Sequence, residues 1–352
     1  MKKIIKKIID KIYIIKCKTA ERKMLKCSKG RLTIDERKRI NKYNKKICMI
    51  IKPLYKKWDK CKIEYFVSDY YYQSKILPRL NSINYNSFGM RHKKSYFMDK
   101  NFQEVIAKSF MFPKAIIRRI NGDYYDEKYN VISVAEALSK LEKYEEVVFK
   151  KSLGESHGRG VHLATKIEYK NLIDNFDRNF IVQDKIEQHV MLSSFNSSSV
   201  NVIRITSLHL GDEIYILGST LRVGAPGSFC DHVGFDNENP RIIAIDDTGR
   251  LYGNVISPDD CKIHNDIFGK KAEGIIPKYN EIIEKIKSNH LKFLHHKIIG
   301  WDITIDKDEN IICIEYNTLV PGIVQTQIVC GPVFSKMSSN DTTLLEEILK
   351  SK

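Results

Sequence analysis

The sequence predicts an α+β protein, on three observations. Segments with a helical period alternate with short β-rich runs in the first half of the chain. Beyond Phe180 the chain is dominated by β-branched runs separated by turn residues such as Gly211-Asp212 and Thr248-Gly249. A single strong helical period, over 277–291, interrupts that second half, which implies at least one antiparallel sheet covered on one side. At 352 residues the chain is long enough for two or three domains. Its 42% hydrophobic and 29% charged residues are ordinary globular usage and exclude global disorder.

Residues 1–60 read as basic helices broken near Gly30 and Pro53. The formal charge of +16 is concentrated there, with 22 Lys+Arg against 5 Asp+Glu, while the remainder holds 37 against 38. A near-neutral body argues against nucleic acid as the main partner. Within residues 1–30, isoleucines at 4, 5, 8, 9, 12 and 15 fall on one helical face with lysines opposite. Two readings stay open: a surface helix packing its stripe on the protein's own core, or peripheral contact with an anionic membrane. No apolar run approaches the roughly 20 residues that span a bilayer. The eight cysteines show no CxxC pair and suit a reducing, cytoplasmic setting, with Cys313 as a small core residue.

Residues 61–98, rich in Tyr and Asn, show no clear period. A helix is expected within Ser133–Glu145, where Val134, Ala137, Leu138 and Leu141 make the stripe and Ser133 with Glu136 has capping-box spacing. It leads into the strand Glu146–Lys150. Strands follow in FIVQDKI, SVNVIRITSLHL, IYILGSTLRVG and RIIAIDD, and then the 277–291 helix carries Tyr279, Ile282, Ile283 and Ile286 on one face.

The closing strands lie in GWDITIDKDENIICIEYN, residues 300–317. If Asp306 and Ile311 flank a four-residue turn, Asp302 faces Glu315 across an antiparallel pair, with Asn317 on the same face. Two carboxylates and an amide oxygen so placed suit a hard cation such as Mg²⁺. The competing reading is a hairpin with solvated acids, which accounts for Asp306, Asp308 and Glu309 but not for Glu315 after the apolar run IICI. A calcium loop starting at Asp306 fails, because its sixth position is Ile311 and its twelfth Asn317.

Two further groups of residues carry chemistry. Lys150 ends a strand and is followed by Gly154, Gly158 and Gly160, a loop that fits a phosphate cradle or a plain hairpin connection but lacks a Walker ending. Arg204 and Arg222 each alternate with apolar residues in a strand, near Asn201, and together they point to an anion site.

Taken together, Asp99-Lys100, Lys150 with its glycine loop, VQDKIEQH, SSSVNVIRI, STLRVG, GWDI, IEYN and the segment Gly331–Phe334 resemble the ATP-grasp superfamily. The resemblance is to the sugar-transfer-associated branch related to teichuronic acid biosynthesis proteins, over roughly residues 97–335. It implies an ATP-grasp fold, two α+β subdomains clasping a nucleotide, here preceded by the basic helical N-terminal region. The implied division is that region at 1–60, an N-terminal or linker domain at 61–145, a small subdomain at 146–185, a large subdomain with the metal site at 186–335, and a tail or helix at 336–352.

The resemblance also implies roles. Lys100 and Lys150 contact the nucleotide phosphates, under a loop formed by Gly154, Ser156, Gly158 and Gly160. Gln183 and Lys185 meet adenine, and Glu187 meets the ribose. Asp302, Glu315 and Asn317 hold Mg²⁺, two ions being expected. Arg204 and Arg222 stabilise the transferred phosphate. The implied activity is carboxylate–amine ligation with ATP through an acyl phosphate, on sugar-linked substrates in surface polysaccharide synthesis. The implied place is the cytoplasm or the inner face of the membrane. A kinase of the same fold and a basic membrane- or nucleic-acid-binding module remain as alternatives. Lys151 where the family has proline, and Asp231-His232 where it has Asp-Asn, depart from the pattern, the second in the segment expected to face the acceptor.

Overall fold

A computed structural model describes residues 67, 71–81, 97–153, 160–231, 238–258, 262–318 and 321–350. The expected helices of residues 1–60 and loop positions Gly154, Ser156 and Gly158 lie outside the described residues. Within them the chain forms two antiparallel sheets with helices against them, as expected for α+β.

The first sheet has six strands. β1 (Ala115–Ile120), β2 (Asp123–Tyr125) and β3 (Val131–Ile132) precede helix α3 (Val134–Leu141). The short helices α1 (Leu77–Leu80) and α2 (Gln103–Ile106) come before them, α1 following a π-turn at Tyr72–Ile76. Then come β4 (Glu146–Lys151), β5 (Val161–Thr165), helix α4 (Lys166–Asn175) and β6 (Phe180–Asp184). The spatial order is β3-β2-β1-β6-β4-β5. A division at 145/146 would cut through this sheet, because β1, assigned to the linker domain, hydrogen-bonds along β6. The strand run AIIRRI carries two arginines and was not anticipated from the sequence.

Helix α3 starts as its sequence dictates. Ser133 Oγ accepts from the Glu136 N–H, and the Glu136 carboxylate accepts from the Ser133 N–H at 2.7 Å. Its buried Ala137 and Leu141 join Tyr169 and Ile173 of α4 over Val147, Phe149, Phe180 and Val182, making the core of this sheet.

The second sheet has seven strands in the order β11-β10-β9-β8-β7-β12-β13. Here β7 is Val202–Leu210, β8 Glu213–Val223, β9 Arg241–Ile245, β10 Leu251–Ile256 and β11 Ile263–His264, while β12 is Ile298–Ile305 and β13 Ile311–Asn317. Helix α6 (Tyr279–His290) lays Ile282 and Ile286 on one face, against Ile203, Ile205, Trp301 and Ile303. The short helix α5 (Val190–Ser193) leads into β7.

The expectation that only one face is covered is corrected for the central strands. Every residue of β12 is buried. On its other face Ile298 packs with Leu208, Leu210 and Leu217 beneath Tyr72, Leu77, Leu80 and Phe334. That cover includes α8 (Leu344–Lys350), and α7 (Val324–Cys330) sits beside it. It leaves one end of this second face free of apolar cover, and the charged side chains gather there.

Candidate active site

Strand pairing brings the charged residues together. Asp302 in β12 stands opposite Arg204 in β7 on one side and opposite Glu315 in β13 on the other. Arg222 reaches the same face from β8, since it pairs with Val202, two residues from Arg204. The expected Asp302–Glu315 pairing is present, but by a different route. The turn is one residue longer than expected, since Ile305 pairs with Ile311, and a bulge between Asp302 and Ile303 restores the register at the carboxylates. Asp306 sits inside that turn, where its Oδ1 accepts from the backbone N–H groups of Asp308 and Asn310.

The distances define an alternating lattice of charge. Arg204 Nη1 donates to Asp302 Oδ2 at 2.6 Å. Arg222 Nη1 lies 3.6 Å from Asp302 Oδ1 and 3.6 Å from Asp231 Oδ2. Lys100 Nζ is 3.1 Å from Glu315 Oε2. Asn317 Nδ2 donates to Asp302 Oδ2 at 3.3 Å and to Glu315 Oε1 at 3.5 Å. Lys150, buried in β4, brings a fourth cation from the small sheet, so four cations face three carboxylates.

The electrostatics follow from burial and charge. Burial pushes the Lys150 ammonium down to about 8, against the opposing pull of Glu315. Burial works to raise the Glu315 carboxyl, but Lys100, Lys150 and Arg204 outweigh it and hold it at about 2. Burial likewise disfavours a charged Arg204, and Asp302 more than compensates by charge and hydrogen bond. Burial pushes the Cys230 thiol up to about 11 and Cys313 well above its ordinary value, so neither is a thiolate nucleophile at neutral pH.

The donor set fits a hard divalent cation. Asp302 Oδ1 is buried and meets no hydrogen-bond donor among the described residues. Glu315 Oε1 points to Asn317, whose amide would present its oxygen after a half-turn of the terminal group. No group of three or more His, Cys, Asp or Glu side chains among the described residues is arranged to hold a metal. The three oxygens therefore need completion by water or substrate, the usual arrangement for Mg²⁺.

Sequence reasoning missed what holds Lys100 in place. The Lys100 N–H donates to Ser152 O, just past β4, at 3.2 Å, and Gln103 Nε2 at the start of α2 donates to Tyr316 O in β13 at 3.1 Å. Beneath the 99–102 turn Arg118 is fully buried. Its Nη1 donates to Asn101 O at 2.9 Å, its Nη2 pairs with Glu104, and its guanidinium lies 4.4 Å from the Tyr129 ring centre. Tyr129 donates to Asn101 O at 2.6 Å. The available signal was the odd placement of Arg118 in an otherwise apolar strand.

The remaining expected residues lie apart from this cluster. Gln183 is buried in β6, its Nε2 donating to Pro113 O at 3.0 Å. Lys185 pairs with Glu146 at 2.6 Å and Glu187 with Lys307 at 3.0 Å. Lys185 and Glu187 lie on the segment that leaves β6 and reaches the β12–β13 hairpin, where the Lys307 N–H donates to Glu187 O and the His189 N–H to Ile305 O. Gly160, at the far end of the glycine loop, accepts from the Lys151 N–H at 2.8 Å.

Comparison with known proteins bears on the fold and the family. No curated protein matches the sequence. Among solved structures, D-alanyl-alanine synthetase A from Vibrio cholerae O1 biovar eltor str. N16961 is similar at 12% identity and a TM-score of 0.45, over 73% of this chain and 65% of that one. VanG D-Ala:D-Ser ligase from Enterococcus faecalis is similar at 14% identity and a TM-score of 0.41, over 72% and 61%. ATP-grasp ligase PsnB complexed with minimal precursor gives 13% identity and a TM-score of 0.40, over 68% and 60%. This chain thus spans under two thirds of the length of each. The model of the family described as sugar-transfer associated ATP-grasp matches residues 80–341, and the chain belongs to that family.

Proposed function

We propose that this protein is an ATP- and Mg²⁺-dependent carboxylate–amine ligase that forms an amide through an acyl phosphate. The carrying observation is the Arg204–Asp302–Arg222 array beside Lys100, Glu315 and Lys150, in which a buried arginine, a partly buried one and two lysines surround carboxylates that can share a cation.

In this reading a substrate carboxylate oxygen attacks the γ-phosphorus of ATP, the β–γ phosphoanhydride bond breaks, and ADP departs. An amine nitrogen then attacks the acyl carbon, the carbon–oxygen bond to phosphate breaks, and the amine proton is lost to solvent. Lys100 and Lys150 hold the phosphates, and the Gly154–Gly160 loop, with Ser156 and Gly158, closes over them. Gln183, Lys185 and Glu187 take the base and ribose. Arg204 and Arg222 face the phosphoryl oxygens in both steps, where fixed cations stabilise developing charge without reorganising. Bound by Asp302, Glu315 and Asn317, Mg²⁺, as one or two ions, would neutralise phosphate oxygens. No side-chain nucleophile is needed, in keeping with the protonated Cys230 and Cys313.

The family name supports a sugar-linked carboxylate or amine, and a role in surface polysaccharide synthesis at the cytoplasmic side of the membrane. The chain with ATP, Mg²⁺ and candidate substrate pairs should release ADP and phosphate in step with amide. A stable phosphoester formed without amine would identify a kinase instead, and failure to bind nucleotide by calorimetry would overturn both.

A further inference from the structure

The loop between α6 and β12 displays apolar and cationic side chains together, outside the site described above. Leu291 and Leu294 are 54% and 71% exposed, among the most exposed large apolar residues described. Lys292 and His295 stand exposed beside them. The display is rigid, because the alternate residues are anchored inward. Phe293 is buried against Trp301 and Tyr316 with ring centres 5.8 and 4.9 Å apart. His296 is buried with its ring 5.3 Å from Phe97. Two leucines held outward on so fixed a base are not the by-product of a loose loop.

The charge carried by the loop's own sequence has one sign. Residues 285–297 contain four lysines and no Asp or Glu. The acids of α6 end at Glu284, which is paired with Lys287. The sequence between residues 70 and 98 holds no Asp or Glu, and its described part carries Arg79. Both described ends of this stretch abut the loop. The Lys297 N–H donates to Leu80 O at 3.2 Å, the Asn81 side chain accepts from the Ile298 N–H, and Phe97 packs on Phe293.

We propose that this loop is a docking surface for an anionic lipid bilayer, with Leu291 and Leu294 entering the hydrocarbon edge while Lys292 and Lys297 meet lipid phosphates. Exposed leucines gain nothing from a nucleic-acid backbone but gain transfer free energy in hydrocarbon, and lysines beside them add attraction to anionic headgroups. The inference is independent of the ligase reading, since none of these residues belongs to the Asp302–Glu315 cluster.

The test is co-sedimentation of the full chain with vesicles of phosphatidylcholine alone, or with about 30% phosphatidylglycerol added. The expected result is binding to the anionic vesicles only, weakening with salt. A Leu291→Ser/Leu294→Ser variant should lose at least about tenfold in partition coefficient, since each buried leucine contributes transfer free energy of that order. Lys292→Glu should lose severalfold by itself. The basic residues 1–60 are present in every variant, so ratios to the unaltered chain isolate the loop. Equal binding to neutral vesicles, or a double variant within twofold of the unaltered chain, would overturn the proposal. So would loss of RNA binding in the leucine variant with vesicle binding unchanged.

Discussion

Gly300 lies directly beneath the guanidinium of Arg204, so that a methyl group on its Cα would sit 2.5 Å from Nη2 and 2.7 Å from Cζ. The glycine of GWDI is thus the space in which Arg204 lies flat to reach Asp302. Gly300→Ala should push Arg204 away and leave Asp302 with a weakened partner. We expect a loss of about 1–3 kcal/mol, the usual range for overpacking a tight interior, measured by urea denaturation. Turnover should fall further than stability alone explains.

Glu315→Gln should reduce ADP release by at least about a hundredfold, because the substitution removes a charge that Lys100 and Lys150 both face. Circular dichroism should show an unchanged fold. Asp308→Asn is the control, since Asp308 is an exposed turn residue whose backbone N–H is held by Asp306. Equal loss in the control would reassign the carboxylates.

Arg118→Met should unseat the turn that presents Lys100. Its loss leaves Asn101 O and Glu104 without the buried cation, with only the Tyr129 hydroxyl to share between them. The stability cost should be roughly 3 kcal/mol, the lower end for breaking a buried pair, because Glu104 keeps a third of its side chain exposed. Nucleotide affinity, read by calorimetry at a temperature where the variant is folded, should fall with it.

Stability should decline as pH falls from about 6.5 towards 4. Burial pushes the His290 imidazole from its ordinary 6.5 down to about 4. Between those values the unfolded chain takes up a proton that the folded chain refuses, so acid favours unfolding. The neutral ring is held in a directional chain: Trp301 Nε1–H donates to Ser207 Oγ at 2.7 Å, Ser207 lies 2.7 Å from His290 Nδ1, and His290 Nε2–H donates to His296 O at 2.9 Å. Each pH unit in that window should remove up to about 1.4 kcal/mol. His290→Gln should flatten the dependence in thermal melts.

The sequence disclosed most where periodicity and chemistry coincide. The helix at α3, the long strands and the facing of Asp302 and Glu315 follow from local pattern. The bulge that makes this facing possible has no local signature in ITIDKDENIICI, so the expected turn was one residue short while the pairing of Asp302 with Glu315 was as expected. β1 was not read from the sequence, where AIIRRI shows no clean alternation, and Arg118 is fully buried by partners outside its own strand. Lys100 was legible only through its neighbours in the motif, because what positions it is tertiary.

Trp301 and Asp302 are consecutive, so one points into the packed interior and the other into the charged cluster. Any twist of β12 that let Asp302 follow a ligand would have to drag an indole that is hydrogen-bonded to Ser207 and wedged among Phe110, Phe293 and Tyr316. The carboxylate is therefore a fixed datum, and accommodation must come from the side chains that face it. If the proposed ligation holds, attempts to change its acceptor should leave β12 alone and vary the segment that follows β8, where Asp231 already faces Arg222.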